Sequence, residues 1–190
     1  MTDSIITSIE FVLNVLVGLY LLLLILRLVL PLVRASFHNP LAQGVLKATS
    51  PLVIPVRRVL PPIGRVDTAT VIVAFGIQYL LIWLLGAIKG DYSSIAEIAL
   101  MSIFALVSQT LKLFMYAIFI RIILSWVAPG SYNPAIEIIA SITDPVMRPF
   151  RRIIPPMGGF DISPIFAILA LGVAMILVGG IQISLLEMLQ

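Results

Sequence analysis

The residues best suited to chemistry are two pairs of adjacent arginines, Arg57-Arg58 and Arg151-Arg152. Apolar residues flank each pair, and this composition suits the headgroup layer of a membrane. There the apolar neighbours are buried, while the planar guanidinium groups form paired hydrogen bonds with phosphate. We therefore predict that these four arginines bind anionic lipid headgroups or a partner protein. The alternative is a purely structural elbow that folds back onto the membrane surface and recognises no ligand.

The sequence contains no recognisable catalytic or metal-binding pattern. It has no glycine-rich phosphate loop, no HExxH, no GxSxG and no carboxylate cluster with metal-ligand spacing. Cysteine is absent, and His38 is the only histidine. We therefore predict that the protein is not an enzyme, that it holds no metal and no cofactor, and that nucleic acid is not a partner.

The arginine pairs belong to a segment that occurs twice. Residues 27–67 match residues 121–161 without a gap, and both copies follow R-x11-N-P-x8-T-x-P-x3-P-x-R-R-x2-P-P-x-G-x2-D. A fixed offset over such a stretch indicates a duplicated unit. We assign the first repeat to residues 1–95 and the second to residues 96–190.

The composition requires a membrane around these repeats. Of 190 residues, 61% are hydrophobic and 11% are charged, whereas a soluble domain has about 25% charged residues. Four continuous apolar stretches are long enough to cross a hydrocarbon core of about 30 Å as helices. They cover approximately residues 9–33, 69–88, 99–127 and 164–186. The predicted fold is an all-α membrane protein with four transmembrane helices.

The positions of the basic residues predict the orientation. Five basic residues lie in the loop 34–68 and three in the loop 128–163, whereas the opposite side has only Lys89. Basic loops remain cytoplasmic. We therefore predict two parallel helical hairpins in a bacterial inner (plasma) membrane, related by a pseudo-two-fold axis along the membrane normal. Both termini would be periplasmic and both repeat loops cytoplasmic.

Each repeat loop has the pattern of short interfacial helices. Asn39-Pro40 and Asn133-Pro134 have the residue types of helix starts. The apolar positions that follow would make these helices amphipathic and place them in the plane of the membrane surface. They are Leu41, Val45, Leu46 and Ala48 in the first copy and Ile136, Ile139 and Ala140 in the second.

Prolines further along each loop predict an interruption. Ser50-Pro51 and Asp144-Pro145 would begin a second short turn, and Pro55 and Pro149 would bend or end it because proline has no N–H to donate. Pro61-Pro62 and Gly64, with Pro155-Pro156 and Gly158 in the second copy, would then end the segment and turn the chain. Asp67 and Asp161 would cap the outgoing helices.

Seven polar residues lie within the four apolar stretches. They are Asn14, Arg27, Gln78, Gln109, Lys112, Arg121 and Gln182. Arg27 and Arg121 occupy equivalent positions near the ends of their stretches, from which a long side chain can extend to the surface. The alternatives are ion pairs with Asp67 and Asp161, or a contact with the backbone of the other repeat.

Lys112 is the most unusual of these residues. It lies near the middle of the third stretch, and Gly18 occupies the equivalent position in the first repeat. A charge in mid-membrane is costly unless it finds water or a partner. Three interpretations stay open: a polar network between helices with Asn14, Gln78, Gln109 and Gln182; a water-filled path; or an error in the predicted boundaries.

The repeated pattern, followed by Ser163-Pro164 in the second copy, resembles the YggT repeat, whose family includes the YlmG proteins of Gram-positive bacteria, cyanobacteria and plastids. A two-copy chain of this length is similar to the proteobacterial type. The first copy departs from the pattern at Thr70, where the second has Pro164. The resemblance implies an integral inner-membrane protein without assigned catalytic residues. It also implies associations with osmotic-stress tolerance, potassium homeostasis and envelope or thylakoid biogenesis.

We accordingly expect a non-enzymatic assembly or stress-response factor whose cytoplasmic loops bind membrane lipids. Membrane-protein partners or a homo-oligomer are further possibilities. Two rival functions are ion transport, in particular of potassium, during osmotic shock, and service as a helper subunit of a larger complex. A lysine within a pore would repel cations, which argues against a simple potassium pathway.

Overall fold

The computed structural model describes residues 2–90, 93–127, 130, 133–154 and 161–189. These residues form six α-helices and no β-strand. The helices are α1 (Thr2–Leu32), α2 (Pro40–Arg57), α3 (Thr68–Lys89), α4 (Ile95–Val127), α5 (Pro134–Ile153) and α6 (Ser163–Glu187). Four of them, α1, α3, α4 and α6, are long and apolar enough to cross a membrane. The predicted all-α membrane fold is confirmed, with α1 beginning several residues earlier than expected.

Each repeat is a hairpin of two long helices with a shorter helix packed against both. In the first repeat α1 packs on α3 and α2 contacts both, and in the second α4 packs on α6 and α5 contacts both. Equivalent positions form the two cores. Leu24 and Val53 are fully buried in one, and Ile118 and Met147 are fully buried in the other. The middle helix of each repeat thus inserts one apolar side chain between its two long neighbours.

The predicted starts of the two middle helices are confirmed. The Asn39 side chain accepts a hydrogen bond from the Leu41 backbone N–H at 3.0 Å, and proline is the first residue of the helix. Asn133 accepts from the Ala135 N–H at 2.9 Å in the same way. The first N–H groups of a helix have no partner within it. An N-cap asparagine accepts a hydrogen bond from one of them, and proline at the first position has no N–H, so the two residues together fix where the helix begins.

The predicted interruption at the prolines is wrong. Helix α2 continues through Pro51 and Pro55, and α5 continues through Pro145 and Pro149. A proline inside a helix removes one backbone donor and displaces the carbonyl one turn earlier. In α2 the carbonyls that lose a backbone donor are those of Lys47 and Pro51, one turn before Pro51 and Pro55. Packing against two long helices keeps each middle helix continuous despite these lost hydrogen bonds.

The face that α2 packs against the protein is distinct from the apolar face that was predicted to lie on the membrane surface. Its buried residues are Ala42, Thr49 and Val53, whereas Leu41 and Ala48 are exposed. In α5 the buried residues are Ile142, Thr143 and Met147. The residues of the predicted face are only partly buried or exposed because the packed face is shifted around the helix. In both helices a fully buried threonine lies on the packed face.

Gly64 has a φ of 60°, a left-handed conformation that favours glycine, and it turns the chain between α2 and α3 as predicted. Its equivalent Gly158, together with Pro155-Pro156, lies outside the described residues.

The contacts between the two repeats are not two-fold symmetric. Helix α3 packs on α4, but in the described part of the chain the equivalent pair, α6 and α1, has no contact. The middle helices do meet: the Asn39 side-chain amide donates to the Pro134 carbonyl at 2.8 Å and to Glu137 Oε2 at 2.9 Å. The predicted pseudo-two-fold relation therefore needs correction, because one long-helix interface is formed and its counterpart is open.

Candidate anion-binding face and intramembrane cleft

A buried ionic cluster joins the three helices of the first repeat. Arg27 on α1 is 4% exposed. Its Nε lies 3.5 Å from Asp67 Oδ2, and its Nη1 donates to Thr49 Oγ1 at 2.9 Å and to the Leu46 carbonyl at 3.2 Å. Of the alternatives considered from the sequence, the ion pair with Asp67 is the one that the structure contains. Arg27 does not extend to the surface.

Asp67 is the centre of this cluster. Arg57 reaches both carboxylate oxygens, with Nε 3.3 Å from Oδ1, and the Thr70 hydroxyl donates to Oδ2 at 2.6 Å. Burial raises the pKa of Asp67, but the hydrogen bonds from Arg57 and Thr70 and the two positive charges hold it below its usual value. Asp67 stands at the N-cap position of α3 but makes no side-chain hydrogen bond to the backbone there. Its predicted capping bond is therefore absent, because the two arginines engage the carboxylate.

The second repeat has a related cluster with different partners. Arg121 Nη1 lies 2.6 Å from Asp144 Oδ1 and also donates to Thr143 Oγ1 at 2.6 Å. Arg151 Nε lies 3.0 Å from Asp161 Oδ2, and its Nη1 lies 3.6 Å from Asp144 Oδ1. Arg121 therefore pairs with Asp144 and not with Asp161. Asp144 occupies the position of Ser50 in the first repeat, and its carboxylate forms the ion pair with Arg121.

Asp161 acts as a cap for the outgoing helix, as predicted. Its Oδ1 accepts hydrogen bonds from the Ser163 backbone N–H at 3.0 Å and from the Ser163 hydroxyl at 2.5 Å. Burial raises the pKa of Asp161, but these bonds and the one from Arg151 lower it below its usual value. This carboxylate is nevertheless more accessible than Asp67, since 29% of its side chain is exposed against 7%.

The structure divides each arginine pair into two roles. The first member, Arg57 or Arg151, turns inward to an aspartate. The second member, Arg58 or Arg152, is exposed and has neither an ion pair nor a side-chain hydrogen bond within the described residues. Four other basic residues in the two repeat loops are likewise exposed and unpaired there: Arg34, Lys47, Arg65 and Arg148. We call the end of the bundle that carries these six residues the basic face.

Arg34 adopts a backbone conformation that is unusual for its type. Its φ is 57°, in the left-handed region, directly after α1 ends. The Ala35 N–H donates to the Leu30 carbonyl at 3.0 Å, which closes the helix as glycine normally does at such a position. An arginine there costs about 1–2 kcal/mol relative to ordinary backbone geometry. The strained position displays a cation on the basic face.

The second notable feature is a cleft of about 670 Å³ between α1 and α4. Helix α3 contributes Gln78 and Leu81 to its wall, and α5 contributes isoleucines at one end. Of the polar residues singled out in the sequence, the structure brings Asn14, Gln78, Gln109 and Lys112 to this cleft. Gln182 does not line it, so the predicted polar group is correct for four members and wrong for the fifth.

The hydrogen bonds around the cleft leave two polar groups without a protein partner. Gln109 Nε2 donates to the Gly18 carbonyl at 2.9 Å, and the Asn14 amide donates to the Glu10 carbonyl at 2.9 Å. Lys112 and Gln78 make no hydrogen bond or ion pair in the described part of the chain. The interpretation of Lys112 as a member of a polar network between helices is therefore not supported, since it makes no hydrogen bond with its polar neighbours in the described chain.

Sequence reasoning missed several residues of these sites. Thr49 and Thr143 accept from the intramembrane arginines, and the threonine of the repeated pattern was the signal that could have identified them. Asp144 was noted only as part of a helix start. Lys89 Nζ forms an ion pair with Glu10 Oε1 at 2.9 Å, at the end of the bundle opposite the basic face. Among the described residues there is no group of acidic or histidine side chains that could hold a metal ion.

Comparison with known proteins also finds two copies of one unit in the chain. The profile of the CCB3/YggT family matches twice, over residues 6–88 and again over residues 100–182. The two matches cover most of the chain and are separated by the same offset as the repeated pattern.

Individual relatives align with most of the chain. An uncharacterized protein of Pseudomonas aeruginosa is 44% identical over 169 residues, which cover 87% of this chain and 85% of the relative. A protein encoded in the proC 3' region of Vibrio alginolyticus is 36% identical over 176 residues, covering 92% and 95%. YggT of Escherichia coli K12 is 31% identical over 165 residues, covering 86% and 85%. No solved structure shows a significant match.

Proposed function

The chain belongs to the CCB3/YggT family, and on that premise we propose that it is a non-enzymatic bacterial inner-membrane protein whose basic face binds anionic lipid headgroups from the cytoplasmic side. The observation that carries the proposal is the division of each arginine pair. One member is fixed by an aspartate, and the other is exposed without a partner in the described chain.

Charge and surface apolarity both support this assignment. Each basic residue close to an anionic leaflet contributes roughly 1 kcal/mol of attraction, and the basic face has six exposed and unpaired ones. Exposed apolar side chains on α2 accompany them, namely Leu41, Leu52 and Ile54, each more than 40% exposed. In the headgroup layer these side chains would be buried among acyl chains while the cations contact phosphate.

Arg57 and Arg151 have a supporting role in this proposal. Their ion pairs hold the end of each middle helix against the start of the outgoing long helix. That contact fixes the direction in which the neighbouring Arg58 and Arg152 point. In the cell, such a face would serve as an anchor for assembly or for the response to osmotic stress, by coupling the protein to anionic lipid or to an acidic partner at the membrane surface.

The proposal is tested by lipid selectivity of the purified protein in nanodiscs that mix phosphatidylglycerol with phosphatidylcholine. The lipids retained after mild detergent extraction are quantified by mass spectrometry. Arg58→Gln combined with Arg152→Gln should lower the enrichment of phosphatidylglycerol by about thirtyfold, since two charges contribute roughly 2 kcal/mol. Added salt should weaken the enrichment in the unsubstituted protein.

Two matched variants make this test specific. Arg58→Lys with Arg152→Lys keeps the charge and should retain most of the enrichment. Lys89→Gln removes a cation from the opposite end of the bundle and should leave the enrichment unchanged. Unaltered enrichment in the Arg→Gln double variant would reject headgroup binding by these residues. Osmotic tolerance of cells that express the same variants at equal levels then tests the physiological role.

Ion transport is the weaker alternative. A potassium pathway requires oxygen ligands along its length, whereas the cleft is lined mainly by apolar side chains and has a lysine among its few polar groups. Potassium flux into vesicles that contain the pure protein is the direct measurement, and a flux altered by Lys112→Ala would favour transport over headgroup binding.

A further inference from the structure

The cleft between α1 and α4 has the size and the polarity pattern of a ligand site. Its volume of about 670 Å³ lies within the range of roughly 300–1,000 Å³ that is typical of small-molecule sites. Its polar side chains are few, and the rest of the wall is apolar. Toward α5 the wall consists of aliphatic side chains, which include Leu22, Leu26, Leu113, Ile138 and Ile142.

Two polar groups in the cleft have no protein partner, and they differ in kind. Gln78 is 8% exposed and lines the cleft, yet it makes no hydrogen bond in the described chain. The Gln78 amide atoms are not fully buried and are open to the cleft. Lys112 has a side-chain amine, and no described carboxylate pairs with it. Both groups are therefore available to an acceptor that enters the cleft.

The depth and the opening of the cleft limit what that acceptor can be. Lys112 is nine residues from Arg121, or about 13 Å along the helix at 1.5 Å per residue, so it lies well below the basic face. Lys112 and Tyr116 are exposed at the edge of the cleft. In a bilayer this edge faces acyl chains. A ligand would enter from the hydrocarbon layer, and its polar group would have to reach mid-membrane.

We propose that the cleft binds a single-chain fatty acid. Its carboxylate would pair with the Lys112 ammonium group and accept a hydrogen bond from the Gln78 amide. Its chain would lie along the aliphatic wall toward α5, which is about as apolar as the acyl chains that the ligand leaves. Charge complementarity therefore supplies the selectivity for the anionic head, and the apolar wall accommodates the chain.

A fatty acid fits the depth better than a phospholipid does. A carboxylic acid can cross hydrocarbon in its neutral, protonated form, because a group in low dielectric neutralises instead of carrying a charge. Next to Lys112 it can transfer its proton to the neutral amine, and the resulting carboxylate and ammonium group form an ion pair. The phosphodiester of a two-chain lipid stays ionised and in the headgroup layer, where the basic face is the appropriate site.

The experiment measures binding of cis-parinaric acid, a fluorescent fatty acid, to the full-length protein in phosphatidylcholine nanodiscs, with empty nanodiscs subtracted. We expect saturable binding of one molecule per chain. Lys112→Met keeps the length of the side chain without its charge and should weaken binding by roughly tenfold, the size of a lost charge-assisted hydrogen bond. Lys112→Arg should bind within about threefold of the unsubstituted protein.

A second variant tests the cleft independently of its charge. Gly18 lines the cleft, and no heavy atom lies within 4 Å of a Cβ built on it. A β-carbon therefore meets no neighbour there, and the Gly18→Leu side chain should occupy part of the cleft and weaken binding. Arg58→Gln with Arg152→Gln should not change binding, and this result distinguishes the cleft from the basic face.

Four outcomes would overturn the proposal. They are binding that does not saturate, unchanged affinity in both Lys112→Met and Gly18→Leu, displacement of the probe by a fatty alcohol as effectively as by a fatty acid, and a two-chain phospholipid found in the cleft. The last result would be recognised by native mass spectrometry as a bound phospholipid that Gly18→Leu removes.

Discussion

At the level of single residues, Asp67 and Asp161 show how burial separates two equivalent positions. Both carboxylates accept hydrogen bonds from an arginine of the repeated pair. Asp67 also neutralises the buried Arg27, whereas in the second repeat Asp144 takes that role for Arg121. Two equivalent aspartates therefore have unequal importance, and substitution can measure the difference.

Asp67→Asn should destabilise the protein by about 3–5 kcal/mol, because it leaves the buried Arg27 without a countercharge. Asp161→Asn should cost about 1 kcal/mol, since its partner is partly exposed and the ion pair is screened by solvent. Thermal unfolding of each variant in the same detergent measures the difference. Equal losses would show that Arg27 does not depend on Asp67.

The same carboxylates predict how stability depends on pH. Both have folded-state pKa values below the ordinary value of 3.8. Their stabilising effect is therefore complete above the unfolded-state pKa, and it is lost as the pH falls through the lower folded-state values. The unfolding temperature should stay nearly constant from neutral pH to about 4 and fall below that. Asp67→Asn should reduce the size of this fall, and an equally steep fall in that variant would contradict the assignment.

Substitution of Arg34 should change the stability of the protein and its lipid binding in opposite directions. Arg34→Gly relieves a left-handed arginine and should raise stability by about 1 kcal/mol, or roughly 2–4 °C in unfolding temperature for a chain of this size. It also removes one cation from the basic face and should lower phosphatidylglycerol enrichment. Arg65→Gly, at an exposed position with negative φ, is the matched control, in which enrichment falls without the gain in stability.

At the level of elements, the middle helices α2 and α5 link the two repeats. Asn39 has two roles, because its carbonyl oxygen caps α2 while its amide donates to Pro134 and Glu137 at the start of α5. Asn133 has the capping role alone in the described chain. The described side-chain hydrogen bonds between α2 and α5 thus all come from Asn39, beside an apolar cluster in which Ala42 and Ile142 are buried.

Asn39→Asp should therefore be harmful although aspartate is as good an N-cap as asparagine. The carboxylate keeps the capping bond but loses both donated bonds and faces the Glu137 carboxylate. We expect a loss of about 2 kcal/mol or more. Asn133→Asp, which changes only the cap, should be close to neutral. Similar unfolding temperatures for the two variants would show that the link between α2 and α5 contributes little.

Some of these helices could be predicted from short stretches of sequence, and others could not. The Asn-Pro helix starts and the four spans were predicted correctly because a cap or an apolar run acts over a few residues. The continuity of α2 through Pro51 and Pro55 was not predictable, because it depends on packing against two long helices. Arg121 pairs with Asp144 and not with Asp161. This too was not predictable, because it depends on the distances between these side chains in the folded protein.

At the level of the whole molecule, the two repeats have the same fold but different neighbouring helices. Helix α3 is covered by α4, whereas in the described structure α6 has no equivalent neighbour. The constant spacing between matching residues of the repeats indicated a duplication. It does not indicate how the two helical hairpins pack against each other. The cleft could be predicted only in part, since Asn14, Gln78, Gln109 and Lys112 were grouped correctly by polarity while Gln182 was grouped wrongly.

The orientation in the membrane can be tested with single thiols because the chain has no cysteine. Arg65→Cys on the basic face should react with an impermeant maleimide only after the inner membrane is opened, and Ser4→Cys should react in intact spheroplasts. Basic loops retained in the cytoplasm are the physical reason. Reaction of the Arg65→Cys variant in intact spheroplasts would show that the topology is the reverse of the predicted one, and it would reject cytoplasmic headgroup binding.

Gly18 and Lys112 occupy the same position in the two repeats, yet both line one cleft. Two identical repeats arranged symmetrically around such a cleft would place two lysines within it, and like charges repel strongly in low dielectric. Because the two repeats differ at this position, the cleft holds a single amine and avoids that repulsion.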